Sequence, residues 1–313
     1  MFTESNSKLK ILKDSWFKKA EVKKAAPSEV EIPFDHSRID FLPELLPFNQ
    51  HPLWQSQPIA LRNKVLSYGW VVYNLRTIHI ETEIVGTFCQ DIINHQIKIM
   101  EHYHYEGLLA QTLVDEAYHV LISIEGYESV LKNRKLPRLA LPEFQFHQKI
   151  KKQLAQAANQ QEQELIMLGV VVASEILISA YLSSISESDI VQPLFRHITY
   201  IHWRDELSHG GVFKHIVERI IDDLSNREQR FLLHIIQCAN EWFTDPELDI
   251  WRCILEHCGI SHVDAILDGN AIESSESSHQ LAYAKINKLI SNLDKNIAEL
   301  QWKKNTNLAK ENC

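Results

Sequence analysis

Glycine and proline are scarce in this chain, nine and ten among 313 residues. So few breakers argue against an all-β sandwich and for long helices. Basic charge is not in excess either. Lys and Arg number 32 against 41 Asp and Glu, a net charge of −9, which gives no whole-chain electrostatic footprint for nucleic acid. Cysteine is sparse and irregularly spaced. Of Cys89, Cys238, Cys253, Cys258 and Cys313, only Cys253 and Cys258 lie close together, with no second pair to complete a zinc site. The expectation is five reduced thiols in a cytoplasmic protein. The N-terminus has no continuous apolar core of a signal peptide, and no run is read as reaching the roughly 18 apolar residues of a spanning helix, so no membrane is expected as a partner. Seven lysines fall in the first 24 residues, but Glu4, Asp14 and Glu21 interrupt them, which reads as a solvated amphipathic helix. What is present is ordinary globular composition, 45% apolar and 23% charged.

The prolines that do occur cluster. Pro27, Pro33, Pro43, Pro47, Pro52 and Pro58 punctuate residues 25–62. Residues 1–60 are therefore read as an N-terminal arm, partly irregular, wrapping the surface of a helical domain over 61–313. Within that domain the breaks predict helices over 61–94 (with Gly69 and Gly86 inside), 105–132, 143–160, 161–184, 193–224, 226–243 and 247–258. Pro193 suits a first helical turn. The polar stretch 268–278 is read as a mobile link to a last amphipathic helix over 279–302. No strand pattern is evident.

The most informative segment is 165–182, LIMLGVVVASEILISAYL, apolar on every face with Glu175 in its middle. A buried carboxylate is costly unless it is paired, hydrogen-bonded or bound to metal. Two other predicted helices carry one repeated pattern: Asp115-Glu116-x-x-His119 and Asp205-Glu206-x-x-His209. Glu and His three residues apart share a helical face. Such a pair from each of two helices, with one Glu from each of two others, builds a carboxylate-bridged dimetal centre in a four-helix bundle. Glu175 lies 31 residues before Glu206, and Glu81 lies 35 before Glu116. Each interval suits half a helix, a turn and half a helix. The chain thus reads as two helical hairpins related by an approximate two-fold. Glu83 competes with Glu81, and the apolar neighbours Ile78, Ile84 and Val85 favour Glu81 as the inward residue. His202 shares the face of Glu206 and His209 and offers a third nitrogen. Asp115 and Asp205 are read as acceptors for the free N–H of metal-bound imidazoles on facing helices. His79, His95, His102, His104, His197 and His215 show no comparable spacing and are read as structural or surface residues.

The set Glu81, Glu116-x-x-His119, Glu175, His202-x-x-x-Glu206-x-x-His209 resembles that of the p-aminobenzoate N-oxygenase (AurF-like) family, over about residues 60–225. The resemblance implies an all-α, ferritin-like four-helix bundle with flanking helices and a di-iron centre held by seven protein ligands. It further implies oxidation of an amine nitrogen to the hydroxylamine, nitroso or nitro level, with O2 and an external electron donor, in a homodimer. The partners implied are a small-molecule amine and a reductase or chemical reductant.

The donor set itself is hard to borderline. It suits iron, with manganese possible, and lacks the thiolates of structural zinc. Four carboxylates roughly neutralise two divalent ions, as a buried site requires. Candidate pocket residues are Tyr73, Asn74 and Thr77 before Glu81, and Val171, Ser174 and Ser179 around Glu175. Other readings stay open on the residues alone: a di-iron hydroxylase, desaturase or oxidative decarboxylase acting on carbon, an iron-binding or ferroxidase protein, or a metal-free helical interaction protein.

Overall fold

Local signals in the sequence set the helix ends seen in the computed structural model, which describes residues 2–24, 32–268, 284 and 286–295. In chain order these are α1 (Phe2–Lys19), α2 (Pro52–Gln55), α3 (Ile59–His79), a π-helical turn (Ile80–Val85), α4 (Gly86–Ile93) and α5 (Glu106–Arg134). Then follow α6 (Gln145–Gln156), α7 (Gln160–Ser186), α8 (Pro193–Ile220), α9 (Asn226–Phe243), α10 (Leu248–Cys258) and α11 (Val263–Ile266). Among the described residues there is no strand, only an isolated parallel bridge between Ile39 and Val191. The fold is all-α.

Caps explain the boundaries. Asn159 accepts the Glu162 amide at the start of α7, so the chain breaks between α6 and α7 instead of running helical to residue 160. Ser225 and Glu228 form a reciprocal capping box on α9. Gly259, at φ +75, ends α10 in the left-handed conformation.

α3 packs along α5, and α7 along α8 and α9, with α5 against α8 joining the two hairpins. α7 is apolar all round and buried from Glu164 to Leu182 apart from Met167, Ile176 and Tyr181. By length and composition alone it could cross a membrane, which corrects the expectation that no run is long enough; Glu175 conceals the run, and the helix is the buried centre of the fold.

The N-terminal 60 residues do more than wrap a surface. α1 lies on α5 and α8. Between the prolines, Phe41, Leu46, Phe48 and Trp54 are buried against α3 and α10. Large apolar side chains leave water wherever a groove accepts them, and Arg134 and Ser67 fix this one by bonding Asp40. Residues 286–295 are helical, with Ile286, Leu289 and Leu293 buried in the core around α7. Residues 269–278 and 296–302 lie outside the described residues, as does Cys313; the other four cysteines are free thiols.

Candidate metal centre

Glu81 owes its position to the π-helical turn. One extra residue lets the Gly86 amide reach the Glu81 carbonyl, i to i+5, inside an otherwise continuous helix. A side chain at Gly86 would put its Cβ 2.6 Å from that carbonyl oxygen, so the turn needs glycine there. The turn carries Glu81 inward, 2% exposed, while the Glu83 side chain stays 49% exposed. Of the three neighbours expected to favour it, Ile84 and Val85 are buried and Ile78 is half-buried.

Four helical elements then bring seven side chains together. Glu116 and His119 come from α5, Glu175 from α7, and His202, Glu206 and His209 from α8, all buried. His119 Nδ1 lies 2.8 Å from Glu116 Oε2 and 3.3 Å from Glu206 Oε1. His209 Nδ1 lies 3.0 Å from Glu116 Oε1, 3.3 Å from Glu206 Oε1 and 3.6 Å from Glu175 Oε2. His202 Nε2 lies 3.2 Å from Glu206 Oε1 and 3.5 Å from Glu81 Oε1. The donors fall into three overlapping groups, Glu81–His119–His202–Glu206, Glu116–His119–Glu206–His209 and Glu81–Glu116–Glu175, each with its ligand atoms within 4.8 Å of one another.

The far edges of two imidazoles are held across the bundle. His209 Nε2 donates to Asp115 Oδ2 at 3.2 Å, and His119 Nε2 to Asp205 Oδ2 at 3.3 Å. Each Asp sits on the helix facing its histidine. The Nδ1 atoms are thereby turned toward the carboxylates. The N-terminal segment adds a layer that sequence reading missed. Trp16 Nε1 donates to Asp115 Oδ2 at 2.7 Å, and the Glu21 amide to Asp205 Oδ1 at 3.2 Å. No local pattern announces it, because the contacts are some hundred residues or more apart in the chain.

The cluster is electrostatically incomplete. Glu81 Oε2, Glu116 Oε1, Glu175 Oε2, both Glu206 oxygens, His202 Nε2 and His209 Nδ1 are buried and, close as some of them stand, none meets a partner in hydrogen-bond geometry. Burial, and then the neighbouring carboxylates, push Glu81 and Glu175 far above the carboxylate range. Burial would lower His119, but Asp205 and Glu116 outweigh it and raise it to about 9. His209 is raised in the same way by Glu116 and Glu206. Burial likewise opposes the charge on Glu116 and Glu206, yet the facing His209 holds both low. Buried polar atoms left without partners are expensive, and protons alone must neutralise this set unless cations do. Carboxylates and imidazoles without thiolate suit paired hard-to-borderline cations, so the residues fit a dimetal group.

Beside the cluster opens an apolar cavity of about 190 Å³. Its wall includes Tyr73, Arg76, Thr77 and Ile80 from α3 and the π turn, Ile178 and Tyr181 from α7, and Phe243, Glu247 and Trp251. Of the six candidate pocket residues, Tyr73 and Thr77 line it. Asn74 instead donates to the Trp70 carbonyl, and Val171, Ser174 and Ser179, buried in α7, do not line it. The Tyr73 hydroxyl is buried without a partner, and burial followed by the charges of Glu81 and Glu206 disfavours its ionisation. Arg76, which the sequence did not single out, stacks over Phe243 at 4.7 Å and lies 3.9 Å from Glu247.

A family model, P-aminobenzoate N-oxygenase AurF, matches residues 3–294. A 4-aminobenzoate N-oxygenase of Streptomyces thioluteus is 25% identical over 230 residues, covering 73% of this chain and 68% of that protein.

Proposed function

The chain belongs to the p-aminobenzoate N-oxygenase AurF family, and from that premise we propose an oxygenase that oxidises the amine nitrogen of a small molecule at an iron pair. The ligands in this reading are Glu81, Glu116, His119, Glu175, His202, Glu206 and His209. Asp115 and Asp205 orient His209 and His119. The observation that carries it is the set of orphaned acid and imidazole atoms, buried beside an apolar cavity. Iron held by these ligands would pass electrons to O2, and the chain's own residues would hold the pair, shape the dry cavity beside it and orient the amine.

First oxidation of an amine to a hydroxylamine takes one oxygen atom of O2 onto nitrogen and releases the other as water. Two electrons and two protons must therefore enter from an external donor, a reductase or a chemical reductant. The cavity wall is apolar and aromatic, which fits a flat amine and excludes water around the reacting nitrogen. Tyr73 stands between this wall and the acidic cluster, a neutral hydroxyl able to donate to an oxygen or accept from an amine N–H. Arg76 faces the cavity with its charge already balanced by Glu247, so an uncharged aryl amine suits the wall as well as an anionic one does. A homodimer and iron in preference to manganese belong to the same reading.

The test is reconstitution. Protein loaded with Fe(II) and supplied with reductant, labelled O2 and a panel of aryl and alkyl amines should bind about two iron ions per chain. It should also yield N-oxygenated product carrying the label. Fewer than one transition-metal ion per chain, or label found only on carbon, would sink this reading.

A further inference from the structure

A second group of side chains with the donors to hold a metal ion lies on the outer side of the same turn. His79 ends α3, Glu83 sits within the π turn, and His147 lies in the first turn of α6. Their ligand atoms all lie within 4.8 Å of one another. His79 Nδ1 is 3.0 Å from Glu83 Oε1, and the rings of His79 and His147 are 5.3 Å apart. Ligands bound tetrahedrally at 2.0–2.2 Å stand about 3.3 Å from one another, so small side-chain rotations would complete the triangle. No local spacing announces this grouping, because the partner of His79 in space comes from 68 residues away.

His147 provides the independent sign. It is 4% exposed, and neither ring nitrogen has a partner in hydrogen-bond geometry. A neutral imidazole carries one lone pair and one N–H, and here no donor meets the lone pair. Burial keeps the ring neutral, its pKa pushed down to about 4. Lys151, the cation on the same wall, is paired with Glu143. An imidazole sunk in the fold with an idle lone pair, facing a half-exposed His–Glu pair, is an unfilled valence rather than a solvated surface.

We propose that His79, Glu83 and His147 bind one divalent first-row transition ion, with zinc preferred. The site is separate from the dimetal cluster and does not depend on it. Two imidazoles and one carboxylate match the donor set of three-ligand zinc sites, with a fourth position open to solvent. Such an ion joins α6 to the turn from whose opposite face Glu81 projects. It braces that turn from outside.

The probe is Zn2+ added to the full-length, iron-loaded protein, followed by dialysis and elemental analysis of both metals. The wild type should retain one zinc per chain with its iron undiminished, and its melting temperature should rise with zinc. Glu83→Gln changes a half-exposed side chain and should fold normally. It should weaken zinc binding by at least the roughly 10–100-fold that loss of a ligand's own hydrogen-bond partner costs elsewhere. His147→Ala should do the same. Cys238→Ser tests a competing metal-prone pair elsewhere, His234–Cys238 at 3.5 Å, and should change nothing. Zinc retained only as iron is lost, undiminished in Glu83→Gln, or removed by Cys238→Ser, would overturn the proposal.

Discussion

A single carboxylate in an apolar helix has two ways to exist, as a proton carrier or as a ligand, and Glu175 is poised between them. Without cations its burial and the charges of Glu206 and Glu116 keep it protonated. A protonated Glu and a Gln are nearly isosteric. Glu175→Gln should therefore leave the metal-free protein's melting temperature close to that of the wild type, while iron per chain falls and the stabilisation by iron shrinks. Thermal melts with and without Fe(II), paired with iron analysis, check this; equal iron in variant and wild type would make Glu175 a core residue only. His119 sets a pH dependence on the same logic. Its folded pKa, about 9, exceeds the ordinary 6.5, so the metal-free fold binds a proton that the unfolded chain gives up. That contribution is complete below pH 6.5 and is lost as pH rises through about 9. His209, also raised, adds in the same direction. Metal requires neutral imidazole and ionised carboxylate, so binding releases protons and strengthens as pH rises. The gap in melting temperature between iron-loaded and metal-free protein should widen from pH 6.5 to about 9. A constant gap across that window would contradict the ligand role of His119.

At the scale of elements, the π turn sets where Glu81 points. Gly86→Ala would force a Cβ to within 2.6 Å of the Glu81 carbonyl oxygen, a backbone atom that cannot rotate away. The expected cost is roughly 1–3 kcal/mol, as for other overpacked sites, together with loss of iron. Gly211→Ala, in α8 with nothing within 4 Å of the new Cβ, should instead be neutral or stabilise by up to about 1 kcal/mol. Melting temperatures of the two variants, measured side by side, separate close approach from helix propensity. The same contrast shows what the sequence could and could not reveal. Apolar periodicity and Pro193 carry helix positions to within a few residues, while the Asn159 and Ser225 caps are seen only in the structure. The doubled Glu-x-x-His pattern draws Glu116, His119, Glu206 and His209 onto facing sides because 3.6 residues per turn allows nothing else. A π turn leaves no such trace, since one inserted residue is invisible to a periodicity already broken every few positions. Gly86 was visible only as a possible weakness in a helix. The layer behind the histidines was invisible for another reason: Trp16 and the Glu21 amide meet Asp115 and Asp205 through packing of α1 and the turn that follows it, which local pattern does not encode.

For the molecule as a whole, the question is how a cavity assembled from distant segments communicates with a sealed cluster. The arm contributes Phe41 and Pro47, α3 contributes Tyr73 and Thr77, α7 contributes Tyr181, and the stretch joining α9 to α10 contributes Pro246 and Glu247. No stretch of sequence holds more than a fragment of this wall, which is why only Tyr73 and Thr77 were among the residues anticipated. Tyr73 is where wall and cluster meet. It faces the cavity, stacks on Trp70 at 5.6 Å, and feels the charges of Glu81 and Glu206. Its hydroxyl has no partner in the protein, a cost to folding that an isosteric ring without oxygen would relieve. Tyr73→Phe should therefore keep the fold, with a melting temperature equal to or above the wild type, and keep its iron. If the hydroxyl orients the amine or hands a proton to the departing oxygen, turnover of amine should fall while reduction of O2 without substrate persists. Measuring amine product and oxygen consumption in one reaction separates these, because a purely structural tyrosine would leave their ratio unchanged. A ratio that drops in Tyr73→Phe at full iron loading ties the cavity to the cluster through this one side chain, and an unchanged ratio means that amine and oxygen meet by another wall.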